Sequence, residues 1–429
     1  MTNLKRFWLL SVAAGAMISS TAYAQEQSNY YSRDKYQAVM DRRQPEFDPE
    51  PIRLGAFLVD ATALASITSN SNVFAAASNE QSDVIARVGA SVAARTNWSV
   101  HQVGAEFAAY RNEFSDFSTE SNTEWRGALR GRLDVTRDFS FGASVFADRA
   151  NESRTEPGSE TSFRHPVEID RTGVEAQANY TNDRVRWTNS IAAIQSDFEC
   201  DCLVPLNGIT NVDYRDRDTL EGRSRLSYAV SPNVAVFAQG TMRDESYKYD
   251  QVIGGVVHTR DSSGYTISGG ADFELTALVR GDIAVGYLSE KKDDPLYKDV
   301  DGLSVDGRMQ WFPTRLTTVT FTAGRRAQDV GAFESPSVIS TDVGARIDHE
   351  LKRNIILSGS YRHANYDYQE ADRKDDIDEL GAGLIYKMNK KVHLEGFVRS
   401  LNRDSSGTSL TFDRSYGVNL IGVQLSLHP

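Results

Sequence analysis

The sequence has few cysteines, no excess of positive charge and, after its first residues, no long apolar run. Only Cys200 and Cys202 occur in 429 residues, too few for a disulfide framework in a chain of this length. A helical membrane protein needs repeated apolar runs of about 20 residues, and a chain that is 25% charged does not supply them. The 47 basic and 59 acidic residues give a net charge of −12, which argues against a general nucleic-acid binder.

Catalytic signatures are missing as well. The sequence contains no G-x-S-x-G, H-E-x-x-H or P-loop pattern, and its seven histidines are scattered singly. No histidine lies near the two cysteines in sequence to complete a metal site. We therefore expect no enzymatic activity, no metal and no other cofactor, although scattered residues do not exclude a catalytic triad defined by geometry. We interpret Cys200 and Cys202 as a local disulfide in a surface loop, with a reduced pair as the alternative.

Residues 1–24 have the anatomy of a secretory signal peptide. Lys5 and Arg6 precede an apolar run at residues 7–18, and the small-residue pattern Ala22-Tyr23-Ala24 follows it. The apolar run is too short to span a bilayer comfortably. We therefore predict cleavage after Ala24 and export across a bacterial inner membrane, with an uncleaved N-terminal anchor as the alternative.

From residue 54 to residue 427, stretches of about ten residues alternate between apolar and polar side chains. In residues 124–135 one face carries Trp125, Leu129 and Leu133 without any charge, and the opposite face is almost entirely charged. Because alternate residues of a strand point to opposite faces, each stretch predicts a strand with one apolar and one polar surface. The same pattern recurs at 219–230, 303–311 and 339–351. We predict that the charged faces line an enclosed aqueous lumen, with these candidates: Glu124, Arg126, Arg130, Arg132, Asp134, Glu221, Arg223, Arg225, Asp306, Arg308, Asp342, Arg346 and Asp348.

The breaks between these stretches alternate in length. Short, turn-like breaks occur at 96–98, 136–138, 181–184, 231–233, 276–278, 313–315, 352–354 and 389–391. Longer polar breaks lie around 70–82, 115–121, 150–165, 199–217, 244–262, 289–301, 326–337, 365–375 and 402–413. Eight short and nine long connections join eighteen strands. We predict an all-β fold over residues 52–429: a transmembrane up-and-down antiparallel β-barrel with short periplasmic turns and long extracellular loops. A soluble β-sandwich is the alternative, but its loops have no reason to alternate in length.

The four tryptophans that follow residue 24 all lie near predicted strand ends. Trp98, Trp187 and Trp311 are beside short turns, and Trp125 follows a long loop. Indole rings prefer the boundary between lipid tails and water. We therefore predict that these side chains mark the membrane interface and that outer-membrane lipid surrounds the barrel.

Residues 25–51 are charged, spaced by prolines and without alternation. We predict a mobile periplasmic N-terminal extension with a short helix near residues 36–41. Contact with a periplasmic partner is the alternative.

Three short runs carry a family resemblance. They are Arg-Arg-Gln-Pro-Glu-Phe-Asp-Pro at 42–49, Ile-Arg-Leu-Gly-Ala-Phe at 52–57 and Ser-Asn-Ser-Asn-Val-Phe at 69–74. Together they resemble the start of the Putative beta-barrel porin 2 family. This resemblance implies an outer-membrane barrel of a Gram-negative bacterium, inserted by the outer-membrane assembly machinery. For several members it implies export of exopolysaccharide or adhesive, with periplasmic export components as partners. The chain departs from the usual outer-membrane ending, because it stops at His428-Pro429 without a terminal aromatic residue.

Two classes of function follow from these observations. The first is a pore: either an exopolysaccharide exporter or a general diffusion porin for small polar solutes. The second is a structural or adhesive surface barrel with a closed lumen. Barrels of sixteen to eighteen strands leave an aqueous channel, in which arginine can bind carboxylate or phosphate groups. The inward charges can instead pair with each other and stiffen the wall, and long loops can fold inward as a constriction. The solute and the oligomeric state stay open.

Overall fold

A computed structural model describes residues 37–159, 163–200, 211–332, 335–408 and 414–429. Within these ranges the regular structure is β-strand, apart from three short 3-10 turns at Val39–Asp41, Ser118–Glu120 and Asp213–Arg215. No helix in the described part of the chain has the length and apolarity that a bilayer crossing requires. The predicted signal peptide and Cys202 lie outside the described residues.

The described residues form twenty-one strands. In chain order they are β1 (Ile52–Leu54), β2 (Phe57–Asn70), β3 (Asp83–Thr96), β4 (Gln102–Phe114), β5 (Asn122–Asp134), β6 (Phe139–Asn151), β7 (Glu168–Asn182), β8 (Val185–Glu199), β9 (Arg217–Ser231), β10 (Val234–Tyr247), β11 (Gln251–Ile253), β12 (Val256–His258), β13 (Ser262–Leu275), β14 (Val279–Lys292), β15 (Val300–Thr314), β16 (Thr317–Gln328), β17 (Val338–Lys352), β18 (Ile355–Tyr368), β19 (Lys374–Lys387), β20 (Val392–Ser406) and β21 (Tyr416–Leu427).

Eighteen of these strands make one closed antiparallel barrel. Each of β2–β10 and β13–β21 pairs with the next long strand along the chain, and β2 pairs with β21 to close the ring. The short strands β11 and β12 form a separate hairpin within the loop between β10 and β13. The predicted all-β, eighteen-stranded, up-and-down architecture is therefore confirmed.

The connections alternate as predicted. Eight short turns gather at one end of the barrel, which we call the short-turn end, and nine longer loops gather at the other, the long-loop end. Each break that the sequence indicated falls at one of these seventeen connections. This agreement arises because turns interrupt the two-residue alternation that a strand imposes on its side chains.

The outer surface of the barrel is apolar. Leu129 and Leu133 on β5 are 58% and 50% exposed, and Val145 and Val174 on the next two strands are exposed in the same way. A band of large exposed apolar side chains around a closed barrel is the surface that lipid requires and that water disfavours. In the middle of the same strands the charged side chains, such as Arg130 and Glu175, point inward and line the lumen.

The closing seam is shorter than the other strand pairings. β2 and β21 pair over the eight positions from Ala63↔Leu427 to Asn70↔Leu420, whereas β2 and β3 pair over fourteen. At the short-turn end, β1 folds back onto β2 through a tight turn at Gly55, whose φ is +59°, a value that favours glycine. β1 therefore pairs with Phe57, Leu58 and Val59, three of the six positions of β2 that β21 does not reach.

Candidate functional site in the barrel lumen

The lumen holds two cavities lined by charged side chains. The larger, of about 1450 Å³, lies mainly along β2–β7 and β18–β21, and the smaller, of about 670 Å³, lies mainly along β8–β17. Of the predicted lumen residues, Glu124, Arg126, Arg130 and Arg132 line the larger cavity, and Asp342 lines both. Those that line the smaller cavity are Glu221, Arg223, Arg225, Asp306 and Arg308.

Three predicted lumen residues lie outside these cavity linings. Asp134 sits at the short-turn end, where its carboxylate accepts a hydrogen bond from the backbone N–H of His101 at 2.8 Å. Arg346 and Asp348 form an ion pair with each other, with Nη2 and Oδ1 2.8 Å apart. These residues serve the local structure of the wall.

Most charges on the lumen wall are paired with each other. Arg130 contacts Glu106 at 2.8 Å, and Arg225 contacts both carboxylate oxygens of Asp272 at 2.8 Å. Arg308 differs, because its guanidinium makes no ion pair or hydrogen bond with any described residue. The wall is therefore a lattice of cross-strand ion pairs with a few side chains left available to a solute.

Residues 152–159, which we call the inward loop, cross the lumen. The loop leaves β6, the fifth strand of the ring, and reaches β18, the fifteenth, on the opposite wall. The carbonyl oxygen of Pro157 accepts a hydrogen bond from the hydroxyl of Tyr368, on β18, at 3.2 Å. The carbonyl oxygen of Thr155 accepts one from the hydroxyl of Tyr416, on β21, at 3.1 Å. A side chain at Gly158 would place its Cβ 1.8 Å from the Val330 carbonyl oxygen. Only glycine therefore fits where the two loops touch.

Buried ion pairs hold the inward loop at its base. Arg154 is 5% exposed and binds the Glu120 carboxylate through two nitrogens, at 2.7 and 3.0 Å. Glu152 is bound by Arg215 at 2.8 Å. Buried charges are stable only when paired and hydrogen-bonded in good geometry. The bidentate Arg154 contact meets that condition.

A second buried cluster holds the loop that joins β16 and β17. Arg260 is fully buried and contacts Asp329 at 2.8 Å. Asp329 also accepts hydrogen bonds from the Tyr247 hydroxyl at 2.5 Å and from the backbone N–H of Gly331 at 2.6 Å. Burial alone would raise the pKa of Asp329, but the neighbouring cations, Arg260 first among them, hold this pKa down to about 2. The described loops at the long-loop end thus form a layer fixed by internal charge pairs.

The two cavities meet beneath this layer. Six residues line both of them: Ala150, Glu152, Glu156, Pro157, Arg326 and Asp342. Glu152, Glu156 and Pro157 belong to the inward loop, whereas Arg326 and Asp342 face it from β16 and β17 as an ion pair at 3.3 Å. We call the gap between loop and wall the constriction. Sequence reasoning identified Asp342 but missed Glu152 and Glu156, because a polar loop carries no signal of which side it folds to.

At the short-turn end, residues 37–51 lie inside the mouth of the barrel, and we call them the strap. Val39 is 1% exposed and packs against Ile356 and Ile385 of the inner wall. Its backbone N–H donates to the Thr318 hydroxyl at 3.0 Å. Arg42 contacts Glu350 at 2.6 Å.

Further along the strap, Asp48 contacts Lys387 at 2.7 Å, and the Phe47 carbonyl oxygen lies 2.9 Å from Nε2 of His393. The expectation of a mobile extension is therefore wrong for residues 37–51, because one buried valine and these polar contacts dock them. The short helix expected near residues 36–41 is the 3-10 turn at Val39–Asp41.

Other predicted features lie outside the lumen. Trp98, Trp187 and Trp311 are exposed at the short-turn end, and Trp125 is half-buried near the long-loop end of β5. Cys200 is disulfide-bonded; Cys202, its expected partner, lies outside the described residues. Within the described ranges no three His, Cys, Asp or Glu side chains come close enough to hold a metal ion.

The sequence profile of one known family, described as Putative beta-barrel porin 2, matches residues 44–428. This match covers nearly the whole chain. The chain belongs to the Putative beta-barrel porin 2 family. The resemblance noted at residues 42–74 is thereby confirmed. No curated protein matches the sequence at a significant level.

Solved structures with some similarity in fold to this porin-family chain include receptors and a transporter. A mutant ferric enterobactin receptor, PfeA, from Pseudomonas aeruginosa in complex with enterobactin has a TM-score of 0.48 at 8% identity, covering 88% of this chain and 82% of the receptor. The copper transporter OprC has a TM-score of 0.47 at 10% identity, covering 89% and 84%. OccK2 from Pseudomonas aeruginosa in complex with glucuronate has a TM-score of 0.46 at 10% identity, covering 86% and 98%. The family membership and the charged lumen together support a pore role for this β-barrel.

Proposed function

We propose that this porin-family barrel is a pore of the Gram-negative outer membrane for small, hydrated polar solutes, and that it is not an enzyme. The observation that carries the proposal is the meeting of two charge-lined cavities at one constriction inside the barrel. Charged walls let hydrated polar molecules pass at little cost, because wall groups replace part of the water around the solute. By the usual arrangement of such barrels, the short-turn end faces the periplasm and the long-loop end the exterior. Outer-membrane lipid and the outer-membrane assembly machinery are the partners this function needs.

The size of the free space favours small solutes over a polymer. Binding sites for small molecules usually enclose about 300–1000 Å³, the range into which the smaller cavity falls at about 670 Å³. A polysaccharide chain needs a wide, continuous passage, yet the inward loop crosses the lumen and the strap lies in one mouth. Polymer export would require both segments to move. We therefore favour solute diffusion over the exopolysaccharide export that the resemblance implied.

One observation favours a second candidate, a surface barrel with a closed lumen. The loop layer is held by buried ion pairs, and such pairs are costly to break because each partner would be left uncompensated. If the layer never opens, the barrel presents its loops to the exterior and conducts nothing.

Conductance of the purified protein in planar lipid bilayers separates the two candidates. We expect discrete, stable openings, and swelling of proteoliposomes in small sugars but not in oligosaccharides. Deleting residues 153–158 of the inward loop should raise both the conductance and the size limit. The control is deletion of residues 252–257, at the exposed tip of the β11–β12 hairpin, which should change neither. Silence of both the intact and the loop-deleted protein would favour the closed barrel.

The export alternative has its own test in the source bacterium. Deleting the gene should lower uptake of small polar solutes and leave the amount of surface polysaccharide unchanged. Loss of the polysaccharide would instead restore the export role.

A further inference from the structure

One acidic side chain at the constriction is unlike the others. Glu152 is paired with Arg215 and Asp342 with Arg326. The Glu156 carboxyl also lines both cavities and is half-buried, but it makes no hydrogen bond or ion pair with any described residue. It is therefore the acidic group at the constriction that a passing solute or ion meets unshielded.

The surroundings of Glu156 are rich in cations that have other partners. Arg215 is engaged by Glu152, and Arg403 by Asp375 at 2.5 Å. Arg362, on β18, contacts only a tyrosine hydroxyl within the described residues, at 3.5 Å, and lines the larger cavity. Titratable and charged groups from several elements surround Glu156. The loops contribute Glu152 of the inward loop and Arg215 of the β8–β9 loop. The strands contribute Arg326 of β16, Asp342 of β17, Arg362 and Tyr366 of β18, Arg403 of β20 and Tyr416 of β21.

These surroundings shift the titration of the carboxyl. Burial and, to a smaller extent, the nearby Glu152 raise the pKa of Glu156, while Arg362, Arg215 and Arg403 offset only part of this rise, so that the pKa lies at about 8. The side chain is therefore largely neutral at pH 7 and largely ionised at pH 9. Over that interval the constriction, where the two cavities meet, gains most of one negative charge.

We propose that Glu156 determines the charge selectivity of the pore and makes this selectivity depend on pH. With a neutral carboxyl, the charge of the nearby Arg362 guanidinium, which lines the larger cavity, is not offset by Glu156, and anions pass readily. With an ionised carboxyl, the arginine is compensated and the preference shifts from anions toward cations. This inference rests on the proposed pore function and assigns the residue that tunes it.

The test is the reversal potential across a planar bilayer that separates two KCl concentrations, measured at pH 7 and pH 9. One unit charge about 6 Å from an ion in water changes the local concentration of that ion about three-fold. We therefore expect the ratio of potassium to chloride permeability to rise at least three-fold at low salt between the two pH values, and less at high salt because of screening.

Three variants make the result specific. E156Q should remove the pH dependence and keep the selectivity that the unaltered protein has at pH 7. E156D keeps a carboxyl and should retain the dependence. E113Q is the control, because Glu113 is exposed near the end of β4 on its outward-facing side, and it should behave as the unaltered protein does. Heat-modifiable migration on SDS gels shows that each variant is folded.

The outcomes separate this inference from the proposed function. Absence of conductance at both pH values overturns the pore and, with it, the role of Glu156. Conductance whose selectivity does not change with pH overturns the role of Glu156 and leaves the pore standing. A pH dependence that persists in folded E156Q also overturns it, because another group must then carry the titration.

Discussion

Val39 is the most buried apolar side chain of the strap, and replacing it by aspartate should release the strap. Val39 is the apolar anchor between Ile356 and Ile385. Full burial of a valine side chain stabilises by about 1.5–3 kcal/mol, and a carboxylate cannot be buried at the same place without a partner. The exposed strap contacts, such as Glu46 with Arg353, add little in comparison. We therefore expect V39D to shift the balance toward the undocked strap by at least about 2 kcal/mol, or roughly thirty-fold.

Limited trypsin digestion in detergent measures this shift. Arg42 and Arg43 lie in the strap, and cleavage there needs the strap to leave the barrel mouth. When opening is fast compared with cleavage, the rate follows the population of the open form. We expect mass spectrometry to show cleavage after these arginines roughly thirty-fold faster in V39D, with the barrel intact. The conductance should rise as well, because the strap lines the larger cavity.

The control for this experiment is V100D, since Val100 is already exposed in a short turn. It should be cleaved at the rate of the unaltered protein. Equal cleavage rates in V39D and the unaltered protein would refute the reasoning, because the buried valine would then contribute nothing to docking.

Three further results are expected. L129R places a cation on the lipid face and should lower the free energy of unfolding by about 2–4 kcal/mol in urea titrations with liposomes. R130L, on the lumen face, should lower this free energy by less. Equal losses in the two variants would contradict the assignment of the two faces. R260M leaves Asp329 buried without its cation and should weaken the loop layer by about 3–5 kcal/mol, seen as faster proteolysis within residues 329–337. The lowered pKa of Asp329 means that its contribution to stability is complete above about pH 4 and lost as the pH falls through about 2. Conductance should therefore rise as the pH falls from about 4 to about 2. A constant conductance over this range would contradict the role of the Arg260–Asp329 ion pair in holding the loop layer.

The barrel was predictable because its physical causes are local. In residues 124–135 five of the six side chains on one face are charged and none on the other, and that pattern alone separates lumen from lipid. Turn lengths are equally local, so the number of strands and the two unlike ends followed without any knowledge of long-range contacts. The tryptophans near the strand ends were identified for the same reason.

The constriction was not predictable in the same way. The inward loop is held by Tyr368 and Tyr416, which lie more than 200 residues further along the chain. No periodic pattern within residues 152–159 reports such partners. For the strap, the local signal was the short apolar run at residues 38–40 in a charged stretch, which composition alone does not distinguish from chance. Contacts of this kind depend on the closed ring, so they emerge only after the barrel is built.

The short seam between β2 and β21 has a consequence for how the molecule avoids its neighbours. A strand whose backbone N–H and C=O groups lack partners is a template on which another chain can add a strand of its own. β21 leaves the short-turn part of β2 in that state, and β1 covers the first three residues of that part from within the same polypeptide. The β1–β2 hairpin at Gly55 thus protects the exposed edge of the first barrel strand. It hinders the addition of a strand from another chain where the last barrel strand ends early.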